Sequence, residues 1–348
     1  MDNYIELKKS LHFIDRENDL ATSKDLSKID KQTKNNINEI ISKVYHHENC
    51  REYIPQKASF VIEKILEITR DISLWNKYVD QFANKLLEKE ITKQKEITKR
   101  FSNVTKGSLL QVLYQDKSDN ENFYYIVTKI NHFKFISESR LQMDVGIPEI
   151  IKVYKSAVIN INKNKIVSSK LYDNGTTVRK YWWNDFLELN PVVNDTLNTN
   201  SVCKIVRSSI LKFTKGSERD LDRKSLFGRF HSYMDSCSTY NYTEMMKALF
   251  GNYINHNPKL NLDGIKNDIK KENGKFDKQF DVDKKELRKQ TAKQTFNIGN
   301  SISAKIPDYL TPDKEIIFAY EKDDGGKYLH LKLENEKLYN RFVIYDEN

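Results

Sequence analysis

The chain has 348 residues, of which 38% are hydrophobic and 31% are charged, and its formal net charge is +9. This composition is polar for a globular protein, yet it leaves enough apolar residues for two or three domains with cores of their own. It excludes a disulfide scaffold and a transmembrane protein, because the three cysteines are odd in number and far apart and no apolar run approaches the roughly 20 residues that span a bilayer.

Helical patterns dominate the first hundred residues, after an N-terminal segment that fits a strand or a short helix. Apolar residues between 37 and 44 recur at helical spacing, and a stronger pattern predicts one long helix over residues 60–87 with a single apolar stripe. The stripe either packs on the protein's own core or forms a dimer seam. Because it is longer than a small sheet can easily cover, we predict a two-fold homodimer. The stripe contains Ile62, Ile65, Ile68, Ile72, Trp75, Val79, Phe82 and Leu86.

Residues 107–161 contain the best succession of strands. An apolar run from Leu109 to Tyr114 ends at a cluster of turn-forming residues, and a strand pattern resumes from Phe123 to Ile136. A third strand pattern covers 153–161. We therefore predict an antiparallel sheet of at least three strands, followed by an aromatic helical core segment at 181–187.

The chain changes character at Pro191, where an Asn-rich stretch predicts a domain boundary. We predict an N-terminal α+β domain over residues 1–190 and, over 191–348, a basic helical region that closes with a C-terminal β-hairpin. The fold class is thus α+β, with a mostly antiparallel central sheet and flanking helices. The predicted helices of the basic region cover residues 201–213, 220–236, 242–250 and 283–295. The second and third of these helices fit a plain helical hairpin or a helix-turn-helix.

The basic region carries most of the net charge. Residues 201–300 hold 20 Lys or Arg and 12 Asp or Glu, so +8 of the +9 lies there. Cations that several phosphates can reach favour a polyanion partner, whereas a solvated helical face is the alternative interpretation. In the second cluster, residues 285, 288, 289 and 293 share one face of the predicted helix. The candidate nucleic-acid-binding residues are Lys204, Arg207, Lys212, Lys215, Arg219, Arg223, Lys224 and Arg229, then Lys284, Lys285, Arg288, Lys289 and Lys293.

Catalytic and metal-binding motifs are weak in this sequence. His46, His47 and Cys50 have partial metal-ligand spacing, but no second ligand pair accompanies them. Asp144 and Glu149 with Lys152 only loosely fit a nuclease site of two carboxylates and a lysine. Phosphate-binding, dinucleotide and serine-hydrolase motifs are absent from the sequence. We therefore predict no catalytic residue, no metal and no cofactor.

The order of parts resembles the bacterial nucleoid-associated proteins of the NdpA type. The resemblance rests on LLQVLYQ with FYYIVTKINHFKFI, then YWWNDFLEL, then RKSLFGRFHSYMDS with EMMKALFGN, and finally EIIFAYEKDDGGKYLHLKL. It covers residues 50–340 and is one of arrangement. The compact Lys-Gly-Arg element of that family is missing here, where only Arg179 and Lys180 follow the third strand. The resemblance implies DNA association in a bacterial cytoplasm, at the nucleoid.

Two functional hypotheses follow from these features. The first is a non-enzymatic protein that binds double-stranded DNA with low sequence specificity, at the nucleoid or in phage defence. The second is a nuclease or effector subunit of an antiviral defence complex, with a partner protein from that system. The first is preferred because of the concentrated positive charge. We expect a soluble cytoplasmic protein without membrane insertion.

Overall fold

A computed structural model of the chain describes a little less than the full sequence. The described residues are 3–28, 31–97, 107–137, 142–146, 153–174, 179–290, 293–299, 302–307, 317–333 and 335–343.

An antiparallel sheet of eight strands forms the first half of the protein, as the sequence predicted. The sheet contains β1 (Tyr4–Asp15), β2 (Leu20–Lys24), β3 (Arg51–Pro55), β4 (Gly107–Asp116), β5 (Asn122–Asn131), β8 (Val153–Asn162), β9 (Lys165–Asp173) and β10 (Leu189–Pro191). Its spatial order is β10-β3-β9-β8-β5-β4-β1-β2, and β6 (Phe133–Ser137) and β7 (Gln142–Gly146) lie outside it. The predicted strand from Phe123 to Ile136 is wrong in its extent, because β5 ends at Asn131 and β6 pairs with β7 in a separate hairpin.

Helices cover both faces of the sheet: α1 (Lys31–Tyr45) lies on one face, and α2 (Phe60–Arg70) with α3 (Trp75–Ile97) lies on the other. Alternation along β5 explains this layering. Tyr125 and Val127 pack into the core beneath α2 and α3, whereas Ile126 and Ile130 pack into the core beneath α1. The sheet is therefore buried on both faces.

The single long helix predicted over 60–87 is wrong, because the chain breaks at Asp71. The Asp71 backbone N–H ends α2 by donating to the Glu67 carbonyl, and the Asp71 side chain accepts from the Ser73 N–H to start a 3-10 turn. Ile72 in that turn is 40% exposed. The other side chains of the stripe are buried against the protein's own sheet. The stripe therefore has no surface left for a dimer seam, and the predicted homodimer loses the observation that motivated it.

Aromatic residues after β9 form part of the same core, as predicted. The segment Tyr181–Phe186 is a turn of π-helix, and Trp182, Phe186 and Leu187 are almost fully buried.

A second core forms in the basic helical region, from residues between Val202 and Leu287. The second and third predicted helices have the observed bounds. The first observed helix begins earlier than predicted, at Asp195. The fourth is wrong after Gln290, and α7 was not predicted. A short strand between α5 and α6 makes their connection neither a plain helical hairpin nor a simple helix-turn-helix. The elements are α4 (Asp195–Phe213), α5 (Asp220–Ser236), β11 (Thr239–Asn241), α6 (Tyr242–Phe250), α7 (Leu262–Lys271), β12 (Gln279–Asp281) and α8 (Lys284–Gln290).

The chain closes with two hairpins and a short helix, which confirms the predicted C-terminal hairpin. These elements are β13 (Lys293–Gly299), β14 (Ile302–Pro307), β15 (Ile317–Glu321), β16 (Lys327–Leu331) and α9 (Glu336–Phe342). Gly325 has a φ of +77° in the turn between β15 and β16, a conformation that favours glycine. Within the described ranges, no helix combines the length and the apolar character needed to cross a membrane.

Polar side chains join the sheet to the helical region. Arg51 of β3 donates to the Val193 carbonyl at 2.7 Å and pairs with Asp195 at 2.7 Å. From the helical side, the Gln279 side chain accepts from the Asp173 N–H at 3.0 Å and donates to the Asp173 carbonyl. These buried bonds orient the helices relative to the sheet.

Candidate nucleic-acid interface

Helix α4 is the central element of the basic surface. Asn194 caps its start by accepting from the Leu197 N–H at 2.8 Å. One face of α4 packs into the helical core, and Lys204 is exposed on the helix. Lys215 is also exposed, two residues after α4 ends at Phe213.

Helix α8 lies beside the first half of α4. Asp283 connects the two: its backbone N–H donates to Thr199 Oγ1 at 3.0 Å, and its side chain accepts from Thr196 Oγ1 at 2.6 Å. The hydrogen bond from Thr196 is the largest cause that holds the pKa of Asp283 below its usual value. Lys285 and Arg288 of α8 are exposed, and neither has an ion-pair partner among the described residues.

Helix α7 lies beside the second half of α4. Ser209 of α4 donates to Asp268 of α7 at 2.9 Å, and Lys212 forms an ion pair with the same carboxylate. At its C-terminal end, α7 exposes Lys270 and Lys271, which have no ion-pair partner in the part of the chain that is described. Sequence reasoning missed these two lysines.

Six exposed cations without an ion-pair partner among the described residues, on α4, α7, α8 and the segment directly after α4, make up what we call the free-cation surface. Helices α7 and α8 contribute two each, α4 contributes one, and the sixth follows α4 directly. None of the six takes part in an ion pair with a described residue. The members are Lys204, Lys215, Lys270, Lys271, Lys285 and Arg288.

Two of the cations predicted to bind nucleic acid donate hydrogen bonds to backbone carbonyls of the protein instead. Lys284 donates to the Asp235 carbonyl at 2.7 Å, to the Cys237 carbonyl at 2.7 Å and to the Met234 carbonyl, and so caps the C-terminal end of α5. Arg229 donates from Nε to two carbonyls at the end of α6, at 3.1 and 2.9 Å. Both side chains are therefore occupied by backbone oxygens.

Most of the other predicted cations are neutralised by nearby acids. Asp220 pairs with Arg223 and, at 2.9 Å, with Lys224. The pKa of Asp268 is lowered, first by its hydrogen bond from Lys212, so this carboxylate stays charged. Three more cations have a neighbour of their own: Arg219 lies 3.8 Å from Glu218, Lys289 lies 3.3 Å from Glu286, and Arg207 lies over the Phe227 ring at 4.8 Å.

Lys293 does not share the helical face predicted for it. Helix α8 ends at Gln290, and Lys293 begins strand β13. Its side chain lies outside the described residues.

No protein-family model and no curated protein matches this chain. The resemblance to nucleoid-associated proteins of the NdpA type thus stays a prediction, and the functional argument rests on the geometry of the free-cation surface.

The candidate nuclease residues do not form a described site. Asp144 lies in β7 opposite Phe135, in a hairpin separate from the central sheet. Glu149 and Lys152 lie outside the described residues. In the ranges that the structure describes, no group of three or more His, Cys, Asp or Glu side chains could hold a metal ion.

The short His/Cys cluster has structural contacts. The His47 ring stacks on the Tyr172 ring with centroids 3.5 Å apart. Burial raises the pKa of the Cys50 thiol to about 11, so this thiol is protonated at neutral pH. Neither observation supports a metal site.

Proposed function

We propose that this protein binds double-stranded DNA through phosphate contacts, with low sequence specificity. The observation that carries the proposal is the free-cation surface, which leaves six positive side chains available to a polyanion while neighbouring cations are used in caps and ion pairs. Phosphate contacts release counterions and carry no base information, which accounts for affinity without sequence preference.

Duplex DNA is favoured over single strands by the character of the helical surface. Proteins that bind single strands combine cations with exposed aromatic rings on which bases stack. Between residues 191 and 290, the exposed large apolar side chains are Val192, Leu197, Leu211, Leu221 and Ile254, and none is aromatic. Among the described residues 191–290, no Phe, Tyr or Trp ring is thus as exposed as a stacking platform requires. We include a nucleoid location in the proposal, on the resemblance in the order of parts.

The proposal is tested by measuring DNA affinity across a salt series on unrelated duplexes. We expect log K to fall linearly with log salt, with a slope of about −0.9 for each phosphate neutralised. A variant that replaces four free cations with glutamine should lose about 3.6 from that slope if all four contact phosphates. Its substitutions are Lys204→Gln, Lys215→Gln, Lys285→Gln and Arg288→Gln.

A charge-matched control separates local contacts from net charge. Lys31→Gln, Lys34→Gln, Lys57→Gln and Lys165→Gln remove four exposed lysines from the sheet half of the protein. We expect this control to retain the wild-type slope. Affinity that does not change between low and physiological salt would show that the proposal is wrong, and so would an equal loss of slope in both variants.

A further inference from the structure

The C-terminal segment, residues 317–343, exposes most of its large apolar side chains. Strands β15 and β16 form a two-stranded sheet of their own, and α9 buries none of its residues. A lone hairpin and a two-turn helix are each only marginally stable in water. The large apolar side chains that this segment exposes are Tyr320, Tyr328, Leu331, Leu333, Leu338, Tyr339 and Phe342.

These side chains are ordered into faces. Tyr320 and Tyr328 are directly opposite each other in the hairpin and stack with ring centroids 5.4 Å apart. Phe318 and His330 form a second stacked pair at 4.7 Å on the same side of the strands. Cross-strand aromatic pairs of this kind stabilise a hairpin and leave their outer surfaces in water. The hairpin therefore presents one aromatic face.

The exposed area is close to what one side of a dimer needs. The seven side chains are between 39% and 66% exposed. Leu331 pairs with Ile317 and therefore lies on the face of the hairpin opposite Tyr320 and Tyr328. With about 200 Å² for a fully exposed side chain of this size, the other six present on the order of 550 Å² in all. A standard interface buries about 800 Å² per partner, and the largest apolar patch of a typical monomer is about 300–600 Å².

The charge of the segment decides what covers it. Residues 317–343 contain five Lys or Arg and five Asp or Glu, so the segment is neutral in a chain of charge +9. Phosphate is not attracted to a neutral surface, whereas two positive bodies repel each other least where both are neutral. Intermixed charges of both signs also suit contact with an identical surface.

We propose that the C-terminal segment of a second copy of this chain covers this surface, in a two-fold homodimer. Each segment would contact the same segment of its partner, as a two-fold interface requires. This surface replaces the α2–α3 stripe as the contact between copies, since the stripe is buried in its own sheet. The proposal does not depend on DNA binding.

Light scattering of the full-length protein over a dilution series tests the proposal. We expect the wild type to have about twice the chain mass of 41.1 kDa. Leu338→Asp with Phe342→Asp, both on one face of α9, should lower the mass to 41.1 kDa at concentrations where the wild type is dimeric. The control, Leu221→Asp with Ile254→Asp, changes exposed residues of the helical region and should remain dimeric.

A second variant, Tyr320→Asp with Tyr328→Asp, tests the hairpin independently of α9. Far-UV circular dichroism of each variant checks that the rest of the protein is folded, which we expect because these side chains lie outside the three buried cores. A wild-type mass of 41.1 kDa at every concentration would overturn the proposal. A dimer that persists in both C-terminal variants would overturn it as well.

Discussion

Lys284 and Lys285 are neighbours in the sequence, but replacing each with methionine should affect a different property. Lys284→Met should lower the stability of the fold, and Lys285→Met should weaken DNA binding. Lys284 donates to three carbonyls at the end of α5, whereas Lys285 is exposed and has no ion-pair partner among the described residues. Methionine removes the charge and retains most of the apolar stem. The pair therefore compares a structural cation with a free one in the same helical turn.

The expected magnitudes follow from these contacts. A hydrogen bond to a charged group contributes about 1.5–3 kcal/mol, and a cation at a helix C-terminus about 0.3–1 kcal/mol. Since Lys284 is only half-buried, water can replace part of its role. We expect Lys284→Met to lower the free energy of unfolding by about 2 kcal/mol and to leave the salt slope of DNA binding unchanged. Lys285→Met should change stability by less than about 0.5 kcal/mol and reduce the slope by about 0.9.

Two assays on the same preparations distinguish the effects. Urea unfolding followed by far-UV circular dichroism measures stability, and duplex titrations at several salt concentrations measure the slope. Suppose that Lys284→Met weakened DNA binding as much as Lys285→Met did and left stability unchanged. The division of these cations into caps and free side chains would then be incorrect.

Two further predictions concern buried lysines of the sheet. Glu90→Ala leaves the fully buried Lys129 without the carboxylate to which it donates, so we expect a loss of about 3–5 kcal/mol in urea unfolding. Glu90→Leu with Lys129→Met should recover most of that loss, because among the described residues only Arg16, 3.8 Å from the same carboxylate, then loses an ion-pair partner. A single variant as stable as the wild type would contradict this. Burial lowers the pKa of Lys155 to about 8. Between pH 8 and about 10.4, the unfolded chain therefore binds a proton that the native protein lacks. Over this range, the stability of the wild type should rise with pH relative to that of Lys155→Met. Parallel pH profiles of the two proteins would refute this reasoning.

Sequence patterns predicted those elements whose signals are local. The alternation in β5 and the bounds of α5 and α6 follow from residue spacing and from turn formers nearby. The break at Asp71 was missed because Ile72 and Trp75 continue the helical spacing across it. Helix α7 was missed because it is short and buries only Ile265 and Ile269 after its Asn261 cap, although that spacing was a usable signal.

The candidate site was only partly accessible from the sequence. Charge counts located the basic region, and four of the six free cations were among the predicted residues. Lys270 and Lys271 were not, because no helix was predicted between residues 250 and 283. Adjacent helix positions differ by about 100° in direction, so the composition of a cluster does not show which of its members face water.

The sequence by itself determined the antiparallel sheet, most of the helices and the concentration of positive charge after residue 200, because period and composition are properties of short stretches of chain. Only the tertiary structure decided which cations remain available. The acid that neutralises Lys212 is Asp268, 56 positions away, and the carbonyls that hold Lys284 are 47 to 50 positions away. Such pairs form when separate helices pack on one core, and local spacing contains no information about which helices will meet.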